Sequence, residues 1–92
     1  MFLQGNLQVL FDALYTVGAI DPVLKMDWNK ITDEMSREPT AVSDAIDNLN
    51  DCRGDFKKMV SLLTKMEPKV VNFVALEVAR EFCEFTQRQH LH

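Results

Sequence analysis

Residues 39–66 read PTAVSDAIDNLNDCRGDFKKMVSLLTKM, and this stretch decides how many helices the chain has. At 100° per residue, Ala41, Val42, Ala45, Ile46, Leu49, Cys52, Phe56, Met59, Val60, Leu63 and Met66 stay on one face. The apolar phase passes through Asn50-Asp51-Cys52-Arg53-Gly54 without a slip, and two helices joined by a loop have no reason to keep phase. The spacing therefore predicts one helix over 39–66, roughly 40 Å long at 1.5 Å per residue. Gly54 falls on its polar side, at a cost of about 1 kcal/mol relative to Ala. The rival reading puts a C-cap or kink at Gly54, because glycine is the commonest helix terminator.

Downstream, Glu67-Pro68 restarts the chain, and a last helix runs to about Gln89. Val71, Val74, Ala75, Val78, Ala79, Phe82, Cys83 and Phe85 give it a broad apolar face, with Lys69, Glu77, Arg80, Glu81 and Glu84 opposite. Upstream, Leu3, Leu7, Leu10, Leu14 and Val17 recur at steps of three and four, a helix over 2–17 that Gly18 ends in a left-handed cap. Asp21-Pro22 opens a second helix, with Asp as cap and Pro in the first turn. Leu24, Trp28, Ile31 and Met35 form its stripe, and Ser36-Arg37-Glu38-Pro39 closes it, since a residue before proline avoids helical backbone.

No useful β-like alternation, internal repeat or low-complexity segment appears. The expected fold is all-α and four-helix bundle-like: two short N-terminal helices packed on a long antiparallel C-terminal helical hairpin, one domain over residues 1–92. The short helices, roughly 22 Å each, cover about half of the hairpin's apolar face. The uncovered half predicts a partner or dimer seam at Phe56, Met59, Val60, Leu63, Met66 and Val71. Phe73, among charged residues on the last helix, joins it as an expected exposed contact. Val9 and Met26 also miss their stripes, whereas Trp28 is expected in the core with its indole N–H at the edge of burial.

The composition bounds the function. A chain of 92 residues with 47% hydrophobic residues has the material for one thin core. The net charge of −4 is uneven: residues 1–55 carry ten acids against four bases, and residues 56–92 six bases against four acids. Phosphate backbones reward clustered Lys and Arg, and no such cluster exists, which disfavours nucleic-acid binding. No run approaches the ~20 apolar residues of a membrane span, and the first residues lack a signal-peptide layout. The expected placement is cytoplasmic.

Chemistry finds little footing. Cys52, Cys83, His90 and His92 lack the close spacing that anchors zinc, and both thiols, lying on apolar faces, are expected to be buried and inert. The oxygen-rich run Asp47–Asp51 fails the calcium-loop pattern in every register. Asp44, Asp47, Asp51 and Asp55 instead share one polar face: a solvated face, or an acidic contact strip for a basic partner. No nucleophile has a base in reach, and Gly5, Gly18 and Gly54 are too scattered for a phosphate loop. The expectation is no enzyme, no cofactor and no metal, but a non-enzymatic helical protein–protein interaction module: an adaptor, chaperone-like or regulatory protein, paired with another protein or as a homodimer. The alternative is a small helical DNA-associated transcriptional regulator using 22–35 and 39–53 as a helix-turn-helix-like pair.

Overall fold

A computed structural model describes residues 4–90, with side chains described over 6–82. It is all-helical, with six helices and no strand among the described residues: α1 (Gln4–Thr16), α2 (Ile20–Lys25), α3 (Trp28–Arg37), α4 (Pro39–Asn50), α5 (Phe56–Lys65) and α6 (Pro68–His90).

Three boundaries fall where the residues require them. Gly18 adopts φ +78°, and the Ala19 N–H donates to Leu14 O at 2.9 Å while the Gly18 N–H donates to Tyr15 O at 3.0 Å. This pair of bonds satisfies the orphan carbonyls at the end of α1. Pro39 and Pro68 each occupy the first position of their helix, where a missing N–H costs nothing.

Two expected helices are each split. The continuous helix over 39–66 does not form: α4 stops at Asn50 and α5 begins at Phe56. Between them Arg53 and Gly54 both take positive φ, +51° and +80°. The Asp55 N–H closes the turn on Cys52 O at 3.0 Å, and the Asp55 carboxylate caps α5 by accepting from the Lys58 N–H at 3.3 Å. The helix expected over 22–35 divides at Met26-Asp27 in the same way. Met26 is extended, and Asp27 accepts from the Asn29 N–H at 3.0 Å. The Trp28 indole bridges this break, donating to Val23 O at 2.9 Å. Asp21 is not the cap of α2: the helix starts at Ile20 and follows Ala19.

The architecture differs from a four-helix arrangement for a reason visible in α6. From Phe73 to Ala79 only Glu77 escapes burial, and Phe73, Val74, Ala75, Leu76 and Val78 are fully enclosed. A helix apolar all round belongs at the centre of a fold. Helices α1, α2, α3 and α4 pack on it, while α5 packs chiefly on α1. The α5–α6 hairpin is therefore not the frame of the molecule. Leu10, Ala13 and Leu14 of α1 supply the other large share of the core. Phe11 meets Phe82 edge to face at 5.0 Å, a favoured aromatic geometry.

Polar ties fasten the outer helices to α6. Lys69 reaches Glu38, at the junction of α3 and α4, at 2.9 Å, and that hydrogen bond holds the ammonium above its ordinary pKa. Arg80 pairs with Glu77 at 3.4 Å and also donates to the Thr32 hydroxyl. Thr32 in turn donates to Trp28 O at 2.8 Å, so α6 is linked through α3 to the α2–α3 break.

Candidate functional site

The seam expected on the hairpin is taken up inside the chain. Met59 and Leu63 are buried, and Val60, Met66 and Val71 are half-buried against the same core. Phe73 is completely enclosed rather than exposed, because α1, α2, α3 and α4 all pack on α6. Phe56 alone of the seven stays exposed, at 40%. The break at 51–55 lets α5 settle on α1, which covers Met59 and Leu63 within the chain.

The acidic strip fares differently. Asp44, Asp47 and Asp51 are all exposed along α4 and its C-cap. Asp55 is exposed too, but its carboxylate is engaged as the α5 cap. What the sequence reading missed is the neighbour of this strip. Across the turn at 51–55, α5 presents Lys57, Lys58 and Lys65 to solvent. An open cleft of about 460 Å³ is lined by Asn48, Asp51 and Cys52 from the end of α4 and its turn and by Lys58, Ser61, Leu62 and Lys65 of α5, while Asp44 and Asp47 lie outside it. The signal was in the sequence as spacing: Lys58, Ser61 and Lys65 recur at three and four, as do Asp44, Asp47 and Asp51.

The electrostatics of this surface are unspent. Among the described residues the ion pairs within 4 Å are those of Lys69 with Glu38 and Glu67, and of Arg80 with Glu77. Neither the α4 acids nor the α5 lysines contribute to them. Cys52 is half-buried, not buried as expected, and its Sγ lies 3.5 Å from Asn48 O. Burial pushes its thiol pKa up, with Lys58 opposing and Asp55 and Asp51 adding to the rise. A thiol so placed is a weak nucleophile at neutral pH. The side chain of Cys83 lies outside the described residues, as do those of His90 and His92.

A second open groove, also about 460 Å³, lies between α3, α4 and α6, where Met35, Pro39, Val42 and Ile46 meet Glu77 and Arg80. Other large apolar side chains in solvent are scattered: Tyr15 at 63%, Leu24 at 54% and Met26 at 40%. Leu24 was expected on a buried stripe, and the α2–α3 break turns it outward. Among the described residues no three His, Cys, Asp or Glu side chains are grouped to hold a metal ion, and no helix is long and apolar enough to cross a membrane. No family model, curated protein or solved structure matches the chain.

Proposed function

We propose that the chain is a non-enzymatic helical protein–protein interaction module, of the adaptor, chaperone-like or regulatory kind, acting through the α4–α5 surface. One observation carries this reading: the exposed acids of α4 end at Asp51, which lines one open cleft with Lys58 and Lys65 of α5, and none of these charges is paired within 4 Å among the described residues. Complementary charge on a partner steers encounter and fixes register, and unpaired charges of both signs reject partners of either single sign. The half-buried Leu62 and Cys52 add apolar surface to the lining of the cleft.

The alternative, a DNA-associated regulator using α3 and α4, draws no support from that pair. Its helices and their junction carry Asp33, Glu34, Glu38, Asp44 and Asp47 against Lys30 and Arg37, a poor match to a phosphate backbone.

The experiment is affinity isolation from native cells at low and high salt, comparing the wild type with Asp47→Lys/Asp51→Lys. Specific interactors should be retained at low salt and lost with the variant. Equal recovery by both proteins would overturn the assignment of this surface.

A further inference from the structure

We infer that the turn at 51–55 is an exchange hinge: it can open into helix, and two copies of the chain then trade α5 and α6. The inference goes beyond the interaction reading above and does not depend on the cleft. It begins from where the packing lies. On the near side of the turn, α1 packs with α2 and α3 with α4. Every other packed pair spans the turn: α5 on α1, and α6 on α1, α2, α3 and α4. The two arms themselves, α4 and α5, are not among the packed pairs. Swinging them apart therefore breaks no packing local to the hinge, and a second copy re-forms all that spans it. The Lys69–Glu38 and Arg80–Thr32 ties and the Phe11–Phe82 ring contact return in the same geometry, between chains instead of within one. Only another copy of this chain offers the departing helices those same surfaces.

The turn supplies the reason to open. Arg53 is held at φ +51°, a strained conformation for an L-residue. Asn6 is the one buried polar side chain among the described residues, and its Nδ2 has no hydrogen-bond partner. Its Oδ1 lies against the turn, 3.4 Å from where a Cβ on Gly54 would sit. A buried donor left unpaired costs free energy that contact with water would return. Straightened, 51–55 carry the apolar phase of 39–66 through Cys52 and Phe56, giving one helix of roughly 40 Å. Arg53 then reaches helical backbone, and the chain leaves along the axis of α5 instead of lying over Asn6. The loss is the Asp55 carboxylate cap on the Lys58 N–H. A short strained hinge whose sequence also suits the extended form invites exchange.

The closed and exchanged forms respond oppositely to the hinge residues. Gly54→Ala strains the turn and favours the helix, which shifts the balance roughly thirtyfold per hinge and about a thousandfold per dimer. Arg53→Gly should shift it about as far the other way. Each full-length chain is refolded from urea at about 1 mM, where weak association shows, and followed by sedimentation velocity. Gly54→Ala should be largely dimeric, the wild type a minor dimer at most and Arg53→Gly a monomer. Crosslinking then locates α6 in the dimer. Glu38→Cys and Lys69→Cys chains, each also carrying Gly54→Ala, Cys52→Ser and Cys83→Ser, are mixed before refolding. A short bismaleimide should join position 38 of one chain to position 69 of the other, a proximity that dimers merely docked keep within each chain. A monomeric Gly54→Ala at about 1 mM, an Arg53→Gly that dimerises as strongly, or a dimer without the 38–69 link overturns the inference.

Discussion

Replacing Gly54 by alanine distinguishes the six-helix fold from a single helix over 39–66 by the sign of its effect. In the fold described, Gly54 sits at φ +80°, and a Cβ there would lie 3.4 Å from Asn6 Oδ1. That distance is ordinary contact, so the cost comes from the backbone. Left-handed φ costs an L-residue roughly 1–2 kcal/mol, and the stiffer unfolded chain returns about 0.4–1 kcal/mol. The net is a destabilisation of about 1 kcal/mol, or a fall in Tm of about 4–8 °C for a domain of this size. A continuous helix would respond oppositely, gaining about 1 kcal/mol from Gly→Ala. Urea unfolding followed by far-ultraviolet circular dichroism reads the difference directly, with m unchanged. Arg53, at φ +51° in the same turn, provides the control. Arg53→Gly relieves the same strain and should be neutral or stabilising by up to about 1 kcal/mol. A raised midpoint for Gly54→Ala, or a large loss for Arg53→Gly, would refute the turn at 51–55.

Phe73→Ala should cost about 3–5 kcal/mol, because the ring is fully enclosed by the helices around α6; a loss under about 1 kcal/mol in the same urea experiment would place it at the surface instead. Asp27→Ala removes the acceptor of the Asn29 N–H and should lower stability by about 1 kcal/mol. An unchanged midpoint would mean that α2 and α3 are joined without need of a cap. Cys52 should react with iodoacetamide more slowly in the folded protein than in urea at neutral pH, since its raised pKa keeps the thiol protonated. Its alkylation rate should still be climbing with pH where that of an unfolded thiol has levelled off. Mapping the adduct to Cys52 by mass spectrometry checks this, and an early plateau would contradict it.

The helical class, the stop at Gly18 and the starts at Pro39 and Pro68 were legible because each depends on one residue's backbone limits. The breaks were not, and the residues that concealed them explain why. Across 51–55 the apolar phase was carried by Cys52 and Phe56. Neither belongs to the core: one is half-buried and the other 40% exposed. Across 26–27 it was carried by Leu24, which faces solvent. Periodicity cannot tell a residue that packs from one that merely falls in step. The competing signal was local, an aspartate directly before an aromatic residue at Asp27-Trp28 and Asp55-Phe56, and each aspartate caps a new helix. Phe73 was misread for a different reason. A helical wheel assumes one wet side, and in FVALEVA over 73–79 six of the seven residues are apolar. Of the candidate site, the acidic strip could be read from α4 alone, but the cleft that Asp51 shares with Lys58 and Lys65 exists only through the turn at 51–55.

The placement of α6 also bears on when the chain can become a protein at all. Five helices precede it in order of synthesis, and four of them turn their apolar faces toward it. Until residues 73–79 emerge, Val23, Ile31 and Leu49 lack the helix against which α2, α3 and α4 chiefly pack. Isolated helices of six to thirteen residues are marginal in water, so before α6 emerges the packing open to the chain is that of α1 with α5 and α2 and of α3 with α4. During that interval it is the growing chain, with its apolar faces still uncovered, that is most open to chaperones and to aggregation.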